Sequence, residues 1–445
     1  MYDFLTSAVA VAFVLGVMIL VHEFGHFAAA KIFGVRVEQF AVGFGKRLFG
    51  IRRGETDYRV NLLPLGGYVK MSGENPLEAR TGDAGEFMSH PRWQRFIIAL
   101  AGPFMNVVLA VGLMTVVFMV HFERPAYLDQ PANVGYVLDG SPAAKAGIQS
   151  GDRIAKIDGQ PNPTWQDVIY KVVLSPGQPL NVELERDGQL IDKKITPEAM
   201  GPDKIGEAGW TPNRPVPVAQ VDPTMPAEKA GMQKGDLILA LDGRPVRSIE
   251  SLLSMLEQNK TKPATVTVER KGQKLNLQIT PVLDTVDGKQ QYRLGFKSSE
   301  AVRVDKLPFP QAFSKSVEEN ERLSGLILVM VEKLVQHQIP MQQISGPVAI
   351  AKMSGEAARQ QGWTPLMELM AGISINLAIF NLLPFPILDG GVILFLAIEG
   401  IRRRDISLHI KERIYQVAFV LLVLFAVMVI YNDLAKTIPG LGGRP

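Results

Sequence analysis

The chain of 445 residues has no cysteine, which excludes disulfides and thiolate chemistry and leaves histidine and carboxylate to hold any metal. It is also short of net charge. Lys plus Arg number 47 against 44 for Asp plus Glu, and a formal +3 leaves no electrostatic footprint for nucleic acid. Only 20% of residues are charged and 47% are hydrophobic, which suits several membrane spans combined with a substantial soluble part. Lys and Arg are missing altogether before Lys31. The apolar run over 4–30 therefore lacks the positive n-region of a signal peptide, although Ala28-Ala29-Ala30 resembles a cleavage site. It is long enough to cross a bilayer and is read as a retained span.

Four stretches qualify as spans: about 4–29, 96–120, 366–398 and 414–431. Lys31, Arg36, Lys46, Arg47, Arg52, Arg53 and Arg59 lie between the first two, and Arg402, Arg403, Arg404, Lys411 and Arg413 between the last two. The positive-inside rule makes both loops cytoplasmic and puts both termini and the long middle segment outside, in the periplasm of a cell with two membranes.

His-Glu-Phe-Gly-His at 22–26 lies inside the first span, toward its cytoplasmic end. Histidines four apart share one helix face, so His22 and His26 can bind one zinc, with Glu23 as candidate general base. Ionisable groups are expensive in hydrocarbon, and three together call for a functional explanation. A second signal is Asn381-Leu-Leu-Pro-Phe-Pro-Ile-Leu-Asp389-Gly-Gly391. Pro384 and Pro386 cannot continue helical hydrogen bonding, so the helix should open here and expose Asp389 at the break. Alone, Asp389 could as well cap the broken helix or close an Asp-Gly turn as bind a metal. Beside a histidine pair it supplies the third protein ligand that a catalytic zinc takes.

The middle of the chain repeats itself. Pro142-Ala-Ala-Lys-Ala-Gly and Gly151-Asp152 match Pro226-Ala-Glu-Lys-Ala-Gly and Gly235-Asp236, and Glu185-Arg186 with Gly188 match Glu269-Arg270 with Gly272. Two copies of one small α/β domain follow, and their pattern resembles the PDZ fold. Val134-Gly-Tyr-Val is a partial match to a carboxylate-gripping loop and Pro215-Val-Pro-Val-Ala a poorer one. Steric exclusion and regulation are therefore preferred to C-terminal peptide capture. Over 56–71, alternating Tyr58, Val60 and Leu62 lead to a turn expected at Pro64-Leu-Gly-Gly67, which reads as a cytoplasmic-side β-hairpin whose edge, at Val60 and Leu62, could pair with an unwound substrate. The run over 323–331 is too short to span and predicts an amphipathic helix.

Taken together, His-Glu-Phe-Gly-His in the first span, Gly43-Phe44-Gly45 after it, the tandem PDZ-like copies and the Asn381–Gly391 motif resemble the site-2 protease family of intramembrane zinc metalloproteases over nearly the whole chain. Many relatives have His after Asp-Gly-Gly, and this chain has Val392. The resemblance implies one zinc on His22, His26 and Asp389, catalysis by Glu23, and substrate positioning by Asn376, Asn381, Gly43, Phe44 and Gly45. It also implies a substrate: a single-pass anti-sigma factor already trimmed outside the membrane, in the sigma-E envelope stress response, with remnant signal peptides as a second class. The expected fold is a polytopic α-helical membrane protein with four transmembrane helices, two tandem PDZ-like α/β domains and the hairpin, set in lipid in the bacterial inner membrane. Its expected parts are 1–125, 126–209, 210–297, an amphipathic connector over 298–365, and 366–445. A non-catalytic PDZ receptor would leave the histidines and Asp389 without purpose. A transporter would call for an inverted repeat, which is not visible in the sequence.

Overall fold

A long apolar sequence free of proline forms the first helix, α1 (Tyr2–Ile32), in a computed structural model that describes residues 2–74, 82–120, 122–201, 203–286, 289–299, 302–340, 346–360 and 362–437. Small residues let α2 (Arg92–Val120) approach it closely. A Cβ added at Gly25 would lie 2.2 Å from the Ala101 carbonyl oxygen, so only glycine permits this approach. α2 also packs on α9 (Thr364–Asn381), with Ala110, Met114 and Phe118 of the one against Ala371 and Ile375 of the other.

Among the described residues, three helical segments are long and apolar enough to cross a membrane: Thr6–Ile32, Arg92–Val120 and His409–Lys436, the last within α11 (Leu408–Thr437). The stretch expected as a further span over 366–398 is not one helix. It is α9, a break over 382–388, and α10 (Asp389–Arg402), because the prolines at 384 and 386 remove backbone donors and clash with the preceding turn. Val417, Phe419, Leu424 and Val427 of α11 are exposed, as lipid-facing side chains would be. The connecting region holds α7 (Phe309–Val335) and α8 (Pro347–Arg359). Asp433 of α11 accepts from the N–H groups of Gly346, Val348 and Ala349 at 3.0, 3.0 and 3.1 Å, which caps the N-terminus of α8 with a carboxylate.

Between α1 and α2, β1 (Val37–Arg53) and β2 (Thr56–Met71) form a folded-over hairpin. Its turn falls at Gly54-Glu55, where Gly54 takes φ +61°, and the expected turn at 64–67 is strand instead. Gly67 is needed for close approach rather than for turning: its Cβ would sit 2.7 Å from the Ala41 carbonyl oxygen. Tyr58 lies opposite both Phe40 and Ile51, and Val60 opposite both Val42 and Phe49, so segment 57–60 is interior. Segments 49–53 and 67–70 are the two edges, each paired on one side alone, and 67–70 is the one that reaches Glu23.

A separate unit comprises Glu123–Val304 and Lys333–Gln343. In its first half β3 (Val134–Val137), α3 (Pro142–Lys145), β4 (Arg153–Ile157), α4 (Trp165–Val173), β5 (Leu180–Arg186), β6 (Gln189–Ile195) and β7 (Trp210–Pro212) enclose one core. In its second half β8 (Val216–Val221), α5 (Pro226–Lys229), β9 (Leu237–Leu241), α6 (Ile249–Asn259), β10 (Ala264–Arg270), β11 (Gln273–Ile279) and β12 (Phe296–Ser298) enclose another. Ile154, Val182, Leu184 and Ile195 recur as Ile238, Val266, Val268 and Ile279, all buried. In each half the last strand returns to pair with the first, β7 on β3 and β12 on β8.

Candidate active site

His22 and His26 are buried, one turn apart on α1, and turn their Nε2 atoms toward Asp389 at the first position of α10. The separations are 3.2 Å between the two Nε2 atoms, 3.2 Å from His22 Nε2 to Asp389 Oδ2, and 3.4 Å from His26 Nε2 to Asp389 Oδ1. Each imidazole thus faces a different oxygen of the one carboxylate, and the separations lie close to the roughly 3.3–3.6 Å between donors held at about 2.0–2.2 Å from a tetrahedral zinc, which suits one ion shared by the two rings and the carboxylate. They are the one group of three or more potential metal-binding side chains among the described residues. Asp389 Oδ2 is buried without a hydrogen bond of ordinary geometry, an unmet need that a cation would satisfy.

The break before α10 depends on glycine. A Cβ at Gly390 would lie 2.3 Å from the Leu382 and Leu383 carbonyl oxygens, and one at Gly391 would lie 2.2 Å from that of Phe385. The Asp-Gly-Gly sequence is thus what lets the loop fold back and carry the carboxylate to the histidines. On α2, a Cβ at Gly102 would lie 2.2 Å from His26 Nε2, so a bare backbone makes room for the rings.

Glu23 is half-buried and accepts a hydrogen bond from the Val69 N–H at 3.1 Å, which ties it to the hairpin edge. Glu23, His22, His26 and Asp389 share a cavity of about 330 Å³ with Tyr68 and Val69. Asn381, at the end of α9, puts its amide 3.4 Å from His22 Nε2. Asn376 is exposed on the same helix. Phe44 stacks on Tyr68 at 6.0 Å between centroids, and Asn61 donates to the Gly43 carbonyl at 2.9 Å. Gly43 and Gly45 take φ +83° and +86°. Val60 lies inside the sheet, and Leu62 is exposed. The structure thus gathers Glu23, His22, His26 and Asp389 around the cavity, reaches Asn381 through His22 and Phe44 through Tyr68, and leaves Asn376, Val60 and Leu62 outside the cavity lining.

Sequence reasoning missed what lies behind the histidines. His26 Nδ1 donates to the Ile98 carbonyl at 2.7 Å, and His22 Nδ1 meets Asn106 at 3.1 Å. Asn106 is wholly buried in a membrane helix, and a polar residue in such a run is the signal that could have found it.

Comparison with known proteins agrees with the geometry. Peptidase family M50 matches over residues 10–425. The Regulator of sigma-E protease RseP of Escherichia coli is 32% identical over 98% of this chain and 100% of its own length. The protein of that name in Salmonella typhimurium is 33% identical, and Protease RseP of Yersinia pestis 31%, each over 98% of this chain and 100% of the relative. A solved structure, the PDZ domain of an SdrC-like protein from Listeria monocytogenes, matches 20% of this chain and 90% of its own at 20% identity, with a TM-score of 0.17. A match across most of the chain, with relatives above 30% identity along their full length, places it: the chain belongs to peptidase family M50.

Proposed function

We propose that this chain is an intramembrane zinc endopeptidase that cuts the membrane segment of an already trimmed anti-sigma factor, with remnant signal peptides as a second substrate class. The observation that carries it is the near-equal spacing of the His22, His26 and Asp389 donor atoms beside Glu23 on an apolar helix. Zinc held there would supply Lewis acidity and lower the pKa of a coordinated water. Glu23 takes the proton from the attacking water and passes it to the leaving amine. The Val69 N–H keeps its carboxylate facing the cavity. Asn381, beside His22, and Asn376, on the same helix, position the substrate. A helical substrate hides its peptide bonds, and we place its unwound backbone along edge 67–70 rather than at Val60, whose segment is already paired on both sides. Gly43, Phe44 and Gly45 support that edge through the stacking of Phe44 on Tyr68.

We further propose inner-membrane localisation with the catalytic end toward the cytoplasm. The two repeats act as periplasmic PDZ-like domains that exclude bulky substrates. The name of the E. coli relative supports the stress-response setting. The test is zinc content of the purified protein together with cleavage of a trimmed single-pass substrate. Stoichiometric zinc with cleavage is expected, and a protein that binds no zinc or cuts nothing refutes the proposal.

A further inference from the structure

The two histidines that face Asp389 are held from behind in different ways. The Ile98 carbonyl can only accept, so at 2.7 Å it obliges His26 Nδ1 to carry the proton and leaves Nε2 with a free lone pair. His22 needs the same arrangement if its Nε2 is to face a metal. The side chain in reach of its Nδ1 is Asn106, whose amide nitrogen lies 3.1 Å away. A donor there would drive the proton onto Nε2, which would then point at Asp389 and His26 with no lone pair left for a metal. Meanwhile the amide oxygen of Asn106 is buried without a hydrogen bond. The two arms of an amide fill nearly the same volume, so turning the group over puts the oxygen opposite His22 Nδ1 and makes the two histidines alike.

We infer that Asn106 is a positioning residue for His22: its amide oxygen accepts from Nδ1–H, fixes the ring tautomer and presents Nε2 to the metal. The site around it is built for this. Asn106 and Ser374 are both 0% exposed, and the Ser374 hydroxyl donates to the Asn106 backbone carbonyl at 2.9 Å, which locks this turn of α2 against α9. Gly102, one turn earlier on the same face of α2, leaves the rings room, so the helix presents a gap and then an acceptor. Acceptors behind metal-binding histidines typically change metal affinity by about 10–100-fold when removed.

The inference rests on the zinc-protease reading, and its test separates the two. Zinc affinity of the full-length protein in detergent is measured by competition with a chelator for wild type, Asn106→Leu, Asn106→Ala and Asn106→Asp. The Leu variant keeps most of the volume but cannot accept, and Ala makes the same point if Leu does not fold. Both should lose roughly 10–100-fold in affinity. Asn106→Asp keeps an acceptor and should bind zinc as tightly as wild type or tighter. The melting temperature of the zinc-free form should not track these differences, which a purely structural role would produce. Tight zinc binding by wild type and equally tight binding by Leu or Ala overturns the inference alone. So does an Asp variant as weak as Leu. A wild type that holds no zinc overturns the reading beneath it, and this inference with it.

Discussion

Two buried aspartates of the repeats and one at the membrane site show how differently the two regions treat a carboxylate. Asp152 and Asp236 are 1% and 0% exposed, and each is closed off by its own partners. Arg186 holds Asp152 with two hydrogen bonds at 2.6 and 2.7 Å, Arg270 holds Asp236 with two at 2.7 Å, and the N–H of Gln149 or Gln233 adds one more at 2.8 Å. Such a carboxylate is satisfied and serves the fold. Asp389 faces two imidazoles and keeps an oxygen without a hydrogen bond. The lesson is that an acid closed by arginine is scaffold, whereas acid and imidazoles converging with an unmet need mark a site.

The harshest way to break that comparison is to remove the converging groups. Asp389→Ala should lose zinc and cleavage together, because one of three protein ligands is gone. Glu23→Gln should keep zinc and lose cleavage by about 10²–10⁴-fold, since Gln preserves size and hydrogen bonding but cannot take a proton. Metal analysis paired with product formation checks both. Full zinc occupancy in Asp389→Ala would mean that this carboxylate is scaffold after all.

The converging groups were legible because each sits in a short local signal: histidines at helical spacing, and an Asp-Gly-Gly after two prolines in an apolar run. The hairpin was harder to place. Glycine serves equally for turning and for close approach, and sequence does not say which, so Gly66-Gly67 suggested a turn that the chain makes at Gly54. Asn106 gave only one polar letter in an apolar stretch, since its meaning depends on α2 crossing α1 at Gly25. In the repeats, chain order concealed that β7 and β12 return to the first strands. Gly209 at φ +74° and Gly295 at φ +91° precede those returning strands, at the end of each copy.

The hairpin offers the next largest effect. Val60→Pro should cut cleavage of rigid and Gly-weakened helical substrates alike, because it removes a donor from a strand paired on both sides. Leu62→Pro, at an exposed position away from edge 67–70, should spare folding and leave cleavage of both substrates close to wild type. Equal losses for the two variants would show that 62 belongs to the paired sheet as well.

A milder change sharpens the scaffold side. Asp236→Asn should destabilise the second repeat by about 1–3 kcal/mol while leaving zinc content unchanged, because it weakens hydrogen bonds to a charged group far from the histidines in sequence. The paired Arg270 also holds the Asp236 carboxyl below its ordinary range. Its folded value is thus lower than its unfolded one, so the contribution is complete above the unfolded value and fades as pH falls below about 4 toward the folded one. Thermal melts of wild type and Asp236→Asn between pH 3 and pH 7 should converge at the acid end. Curves that stay parallel would mean that the pair contributes nothing that depends on its charge.

The smallest effect expected on the site comes from the largest excision. The membrane unit holds its contacts largely within itself, and all of the converging residues belong to it. Replacing 126–297 by a flexible linker should therefore leave zinc content, and cleavage of a trimmed substrate, within about twofold of wild type, as independent parts of a protein generally behave. The repeats are tethered between α2 and α7, and on the size-exclusion proposal their bulk bars a folded outer domain, which cannot interpenetrate another of ordinary packing density. The same deletion should then permit cleavage of an untrimmed substrate that wild type rejects. Because exclusion needs no peptide-specific pocket, a saturating C-terminal peptide should not mimic the deletion. If the deletion variant cuts the trimmed substrate and still rejects the untrimmed one, the filter lies in the membrane unit, and the division between a satisfied scaffold and an open site stands without a gatekeeping role for the repeats.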